Sequence, residues 1–90
     1  MQKTFIYYQD GGHGWVKVPQ KMIDDLGIRT QITSYSYQRK DHAYLEEDCD
    51  ASTFIKAFKD QYKVEPAFRS RYSDQSRIRT YNHFDNGLHS

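Results

Sequence analysis

The sequence predicts an α+β fold: an antiparallel or mixed sheet of four to six strands with two helices, in the order β-β-α-β-β-α-β and one further strand. Three observations support this. Short runs rich in aromatic and β-branched residues are bounded by turn formers, two stretches carry apolar residues at helical spacing, and the links between strands are short enough for hairpins. The 90 residues make a single domain, 1–90.

The elements follow in order. "KTFIYYQ" (Lys3–Gln9) runs into Asp10-Gly11-Gly12, a strand entering a turn. "WVKV" (Trp15–Val18) is the return strand and stops at Pro19, which cannot donate to a ladder but suits the first turn of a helix. "PQKMIDDLG" then places Met22, Ile23 and Leu26 on one stripe, with Gly27 at the left-handed position that ends helices. "QITSYSYQ" (Gln31–Gln38) alternates, with Thr33, Tyr35 and Tyr37 on one face. A polar break at Arg39–Asp41 joins it to "HAYLEE" (His42–Glu47) as a hairpin. "CDASTFIKAFKDQYK" is a helix capped by Asp50 or Ser52, with Ala51, Phe54, Ile55, Phe58 and Tyr62 on its apolar stripe. After Pro66, "AFRSRYS" is a strand, Asp74–Ser76 a turn and "RIRTYNHF" (Arg77–Phe84) a returning strand. Residues 85–90 read as a frayed tail.

Composition narrows the function classes. A charged fraction of 28% and a hydrophobic fraction of 37% suit a globular chain. Eight tyrosines and five phenylalanines are unusual, and tyrosine suits surfaces that contact partners. A net charge of +1 provides no overall field for nucleic acid or an anionic membrane. One cysteine, Cys49, excludes an internal disulfide and fits a reducing compartment; with no signal-peptide pattern and no apolar run of spanning length, the expected location is the cytoplasm.

"DGGHGW" (Asp10–Trp15) matches neither a dinucleotide fingerprint nor a P-loop, because a strand rather than a helix follows it. Its glycines are expected to supply positive φ in a hairpin loop, with His13 and Trp15 beside each other at the tip as contact residues. His13, His42, His83 and His89 lack paired ligand spacing and Cys49 has no cysteine partner, so neither a metal site nor a cofactor is expected. Cys49 reads as a small buried hydrophobe, and no motif supports a Cys49–His42–Asp constellation, so catalysis is not expected.

The charges are patterned. In "EEDCD", Asp48 and Asp50 are accounted for by the start of the helix, which leaves Glu46 and Glu47 to face a basic partner. Between Lys56 and Arg79, seven cations are offset by three acids, either pairing with the acidic patch or meeting an anion. Arg69, Arg71, Tyr72, Arg77 and Arg79 mix arginine with tyrosine, a combination that contacts phosphates and stacks on bases.

"VKVPQKMIDDLGI" (Val16–Ile28) resembles the strand–proline–helix–Leu-Gly-Ile core of AbrB-type swapped-hairpin transcription factors and antitoxins. That resemblance implies a DNA-binding dimer. "DGGHGWVKVP", "LGI" and "SYSYQRKDHAYLEEDCD" together look like a set of small proteins encoded on phages, plasmids and other mobile elements. This second resemblance, over roughly residues 5–55, implies a context: stoichiometric binding to a host protein or nucleoprotein complex, including inhibition of restriction or CRISPR machinery. The expected function is therefore a non-enzymatic binding protein whose contacts are His13, Trp15, Tyr35, Tyr37, Arg39, Glu46 and Glu47. The alternative is nucleic-acid binding through the arginine set, and an exposed edge strand would make a homodimer accessible.

Overall fold

The structure, a computed structural model, describes residues 2–72 and 77–88. The expected turn at 74–76, His89 and the last residue of the tail lie outside the described residues. Strands β1 (Thr4–Gln9), β2 (Gly14–Pro19), β3 (Tyr37–Arg39), β4 (His42–Glu46), β5 (Ala67–Tyr72) and β6 (Asn82–His83) form one mixed sheet in the order β5-β1-β2-β4-β3-β6. Helices α1 (Gln20–Asp25) and α2 (Asp50–Tyr62) complete the α+β fold. β5 lies parallel to β1, and every other pairing is antiparallel. The parallel edge follows from α2, because a crossover helix is needed to carry the chain back before a strand can run in the direction of β4 again.

Period-two alternation divides the side chains between two faces. Phe5 of β1, Val16 and Val18 of β2, and Ala43 and Leu45 of β4 point toward the helices. There they meet Ala51, Phe54 and Phe58 on the stripe of α2, and Ile23 of α1. The Phe5 ring stands edge-on to Phe54 at 5.0 Å and to Phe58 at 5.7 Å. Such fully buried phenylalanines cost about 3–5 kcal/mol each when truncated to alanine. α1 is short, and its end is well made. Gly27 takes φ +67°, its N–H reaches the Asp24 carbonyl and the Ile28 N–H reaches Ile23, which satisfies carbonyls the helix leaves free.

The opposite face holds a second, aromatic core. Trp15 and Tyr44 are buried there with Ile78, and Tyr8, Tyr37 and Tyr81 flank them. The expected strand at Arg77–Phe84 is corrected by this packing. Arg77–Thr80 is a 3-10 turn that lowers Ile78 onto the rings, and only Asn82–His83 pair with β3. Burial of Ile78 outweighs extended pairing that would have left the rings wet. Among these tyrosines Tyr44 has its hydroxyl pushed up to about 12, by burial first and then by Tyr81 and Tyr8.

The expected strand Gln31–Gln38 survives only from Tyr37. Arg29–Gln31 is a 3-10 turn, and the chain then bends around the buried Asp50 carboxylate. Asp50 accepts from the Thr33 N–H, the Thr33 hydroxyl and the Ser36 hydroxyl, and the Ser36 oxygen accepts in turn from the Glu46 N–H. A charged acceptor with several donors outcompetes an edge ladder. Asp50 is thus not the cap of α2, and neither is Ser52. No side chain caps from Cys49; instead Glu46 accepts from the Asp48, Cys49 and Asp50 N–H groups at the start of the helix.

Within the stretch expected to fray, Asp85 and Asn86 bond back to the fold. The Asp85 N–H donates to Gln38, the Asn86 amide to the Ile32 carbonyl, and Arg29 to the Asp85 carbonyl.

Candidate functional site

The Asp10–Trp15 loop is organised by Asp10 rather than by glycine flexibility. Asp10 Oδ1 accepts from the Gly12 and His13 N–H groups, and the Asp10 N–H donates to the His13 carbonyl. Gly11, Gly12 and Gly14 have no left-handed φ, contrary to expectation. Gly14 is needed for space, since a Cβ there would overlap the Tyr7 ring. Tyr7 crosses that position to donate to Glu47. This bond, followed by burial, pushes the phenol up to about 12.

From the second half of the chain, Arg79 closes the loop. Its Nε lies 2.8 Å from Asp10 Oδ2, its Nη2 lies 2.8 Å from His13 Nδ1, and its guanidinium sits 5.5 Å from the centre of the Trp15 ring. The Arg79 hydrogen bond, joined by the two loop N–H groups, holds the Asp10 carboxyl far below the usual carboxylate range. Trp15 is 3% exposed, so it is a wall here and not the tip residue expected from the sequence. The His13 ring lies stacked near it, with centres 6.1 Å apart.

Beside this clasp is an open cleft of about 450 Å³, lined by His13, Trp15, Tyr35, Tyr37, Glu46, Asp48, Cys49 and Arg79. Tyr37 stands edge-on to Trp15 and stacks on His83 at 4.9 Å. Tyr35, at the bend made by Asp50, is 75% exposed. Five of the seven contact residues expected from the sequence therefore share one cleft. Arg39 does not join them, because its guanidinium lies over Tyr81, 5.2 Å from the ring centre. Glu47 also lies elsewhere, on the α2 side with Tyr7, Val16, Ala51 and Phe68.

Sequence reasoning kept Glu46 and Glu47 for a partner and passed over Asp48. Glu46 is occupied by backbone donors, whereas Asp48 is exposed, lines the cleft, and its carboxylate has no partner among the described residues. Cys49 is exposed and not buried. His42 and Cys49 belong to opposite ends of β4, which separates the constellation drawn for them. Among the described residues no three His, Cys, Asp or Glu side chains converge.

The arginine set is divided. Arg69 and Arg71 alternate with Phe68, Ser70 and Tyr72 along β5, so Tyr72 lies on the other face. Arg79 is committed to Asp10, and Arg77 is exposed at the start of the 3-10 turn. Nor do these arginines pair with Glu46–Asp50; the ion pairs among the described residues are Arg29–Asp24, Lys59–Glu65 and Arg79–Asp10. No helix among the described residues is long and apolar enough to cross a membrane. Comparison with protein-family models, with curated proteins and with solved structures finds no match for the chain.

Proposed function

We propose that the chain is a binding protein that acts by stoichiometric association with a protein partner through the His13–Trp15–Tyr35–Tyr37 cleft, and not by catalysis. The observation that carries this reading is the placement of an exposed tyrosine, a tyrosine–tryptophan wall and an unpaired carboxylate around one opening. Aromatic rings beside an acid suit a partner's lysine or arginine, which gains cation–π and ionic attraction together. Asp48 supplies that acid, since Glu46 is held by backbone donors. The resemblance to small proteins of mobile elements narrows the reading to a cytoplasmic modulator of a host protein or nucleoprotein complex, such as a restriction or CRISPR assembly. A basic nucleic-acid groove on such a target would offer the required cations.

The test is capture from bacterial lysate on tagged protein, with and without nuclease, by the parent chain and by a Tyr35→Ala/Asp48→Lys variant. Both substituted side chains are exposed, so the fold should survive the change. A discrete protein that resists nuclease and is lost with the variant supports the reading. Recovery of nucleic acid alone, released by salt, would move the assignment to the arginines.

A further inference from the structure

The two edges of the sheet are unequal. β6 is a two-residue strand, and the chain beyond it returns to the fold through the Phe84 N–H on the Ser36 carbonyl. β5 is six residues long, and every one of them is exposed. In a parallel ladder, alternate residues direct both main-chain groups to the same neighbour. The Ala67 N–H donates to the Lys3 carbonyl, so Ala67, Arg69 and Arg71 serve β1, while Phe68, Ser70 and Tyr72 turn their N–H and C=O groups to the open side.

The side chains along this edge are sorted by face. Phe68 and Tyr72, 39% and 66% exposed, lie on the side of the helices. Arg69 and Arg71 lie on the other, where Arg69 and Lys17 flank Ile6 in one cross-strand row. No acid pairs with Lys17, Arg69 or Arg71 among the described residues.

We infer that β5 is a strand-accepting edge whose occupant is an extended segment of a partner protein with alternating acidic and apolar side chains. The open main-chain groups of Phe68, Ser70 and Tyr72 supply the ladder, acids on the occupant meet Arg69 and Arg71, and its apolar residues cover Phe68 and Tyr72. Charge argues against a second copy: two β5 strands paired about a two-fold at Ser70 would set Arg69 opposite Arg71, and like charges directly opposite destabilise a sheet. The cations therefore guard the edge against self-pairing while selecting an acidic strand. This surface is separate from the Tyr35 cleft, so either proposal can fail without the other.

The probe is acetyl-(Val-Glu)3-amide titrated into the full-length, nitrogen-15-labelled chain, with acetyl-(Val-Lys)3-amide as its counterpart. The expected result is saturable shifts of the Phe68, Ser70 and Tyr72 amides with the glutamate peptide, and at least roughly tenfold weaker binding of the lysine peptide. Arg69→Glu/Arg71→Glu should reverse that preference. Ser70→Pro removes an outward N–H while leaving the bonds to β1, and should abolish binding with the remaining amides in place. Four results would overturn the proposal: no saturable shift, equal binding of both peptides, the same shifts with a thymidine oligonucleotide but not the glutamate peptide, or concentration-dependent shifts of these amides in the protein alone. If the proline variant does not fold, the charge reversal decides.

Discussion

Arg79 and Asp10 form a two-pronged ion pair, with Nε to Oδ2 at 2.8 Å and Nη2 to Oδ1 at 3.1 Å, between residues 69 positions apart. The pair fastens the 3-10 turn at Arg77–Thr80 to the β1–β2 loop, and Ile78 in that turn covers Trp15 and Tyr44. One contact thus shapes a loop, a cleft wall and the lid of the second core.

If so, Asp10→Asn should loosen the clasp without unfolding the sheet. The expected outcome is a red shift of Trp15 fluorescence and faster amide exchange at Arg77–Tyr81, with α2 amides unchanged. Arg79→Gln should give the same pattern, and the double variant should add little, since both changes break one interaction. Fluorescence identical to that of the parent in both single variants would separate the lid from the ion pair.

Gly14→Ala tests whether that glycine is there for space. The Tyr7 ring would have to swing away and release Glu47, at a cost of about 1–3 kcal/mol. Gly12→Ala, where a Cβ would come no nearer than 3.8 Å to Arg79, should be close to neutral. The second readout is ionisation. Tyr7, pushed up to about 12 mainly by Glu47, should titrate nearer the ordinary tyrosine range in Gly14→Ala, followed by ultraviolet absorbance. An unchanged Tyr7 titration would mean that the ring does not move.

Asp50→Ala should be among the most damaging single changes, at about 3 kcal/mol in urea unfolding, because it orphans the buried Ser36 hydroxyl and the donors of Thr33. Thr33→Val removes one hydroxyl and should cost less, about 1 kcal/mol. Equal losses would show that the bonds from the Ser36 hydroxyl and the Thr33 N–H to the carboxylate contribute little to the bend.

The bend also explains where sequence reasoning stops. Apolar alternation in β1, β2 and β4 and the stripe Ala51–Phe54–Phe58 are local signals, so those elements were legible. Alternation in "QITSYSYQ" was equally regular, yet its first residues fold around a carboxylate 14 to 17 positions downstream, a competitor that no window on the segment contains. Glu46 escaped notice as a cap for a related reason: it sits at the end of a strand, not at the cap position. At the site, the loop residue His13, the bend residue Tyr35 and the strand residue Tyr37 were each legible as candidates. Their shared wall was not, because Arg79 arrives from 66 residues beyond His13.

The acid limb of stability should carry a signature of His42. Burial first, then the nearby Lys17 charge, lowers its pKa, and Asp41 only partly opposes them. A histidine whose folded pKa lies below its unfolded value stabilises the fold at pH values above the unfolded pKa, near 6.5, and that contribution is lost as pH falls through the folded pKa. Urea midpoints measured from pH 8 downward should therefore begin to fall below about pH 6.5. His42→Gln should flatten the slope in that window. Lys17→Met should also shallow the slope, because it removes one of the two causes that disfavour the imidazolium, and burial alone would then remain against Asp41. A slope unchanged in both His42→Gln and Lys17→Met would place the acid sensitivity in the carboxylates instead.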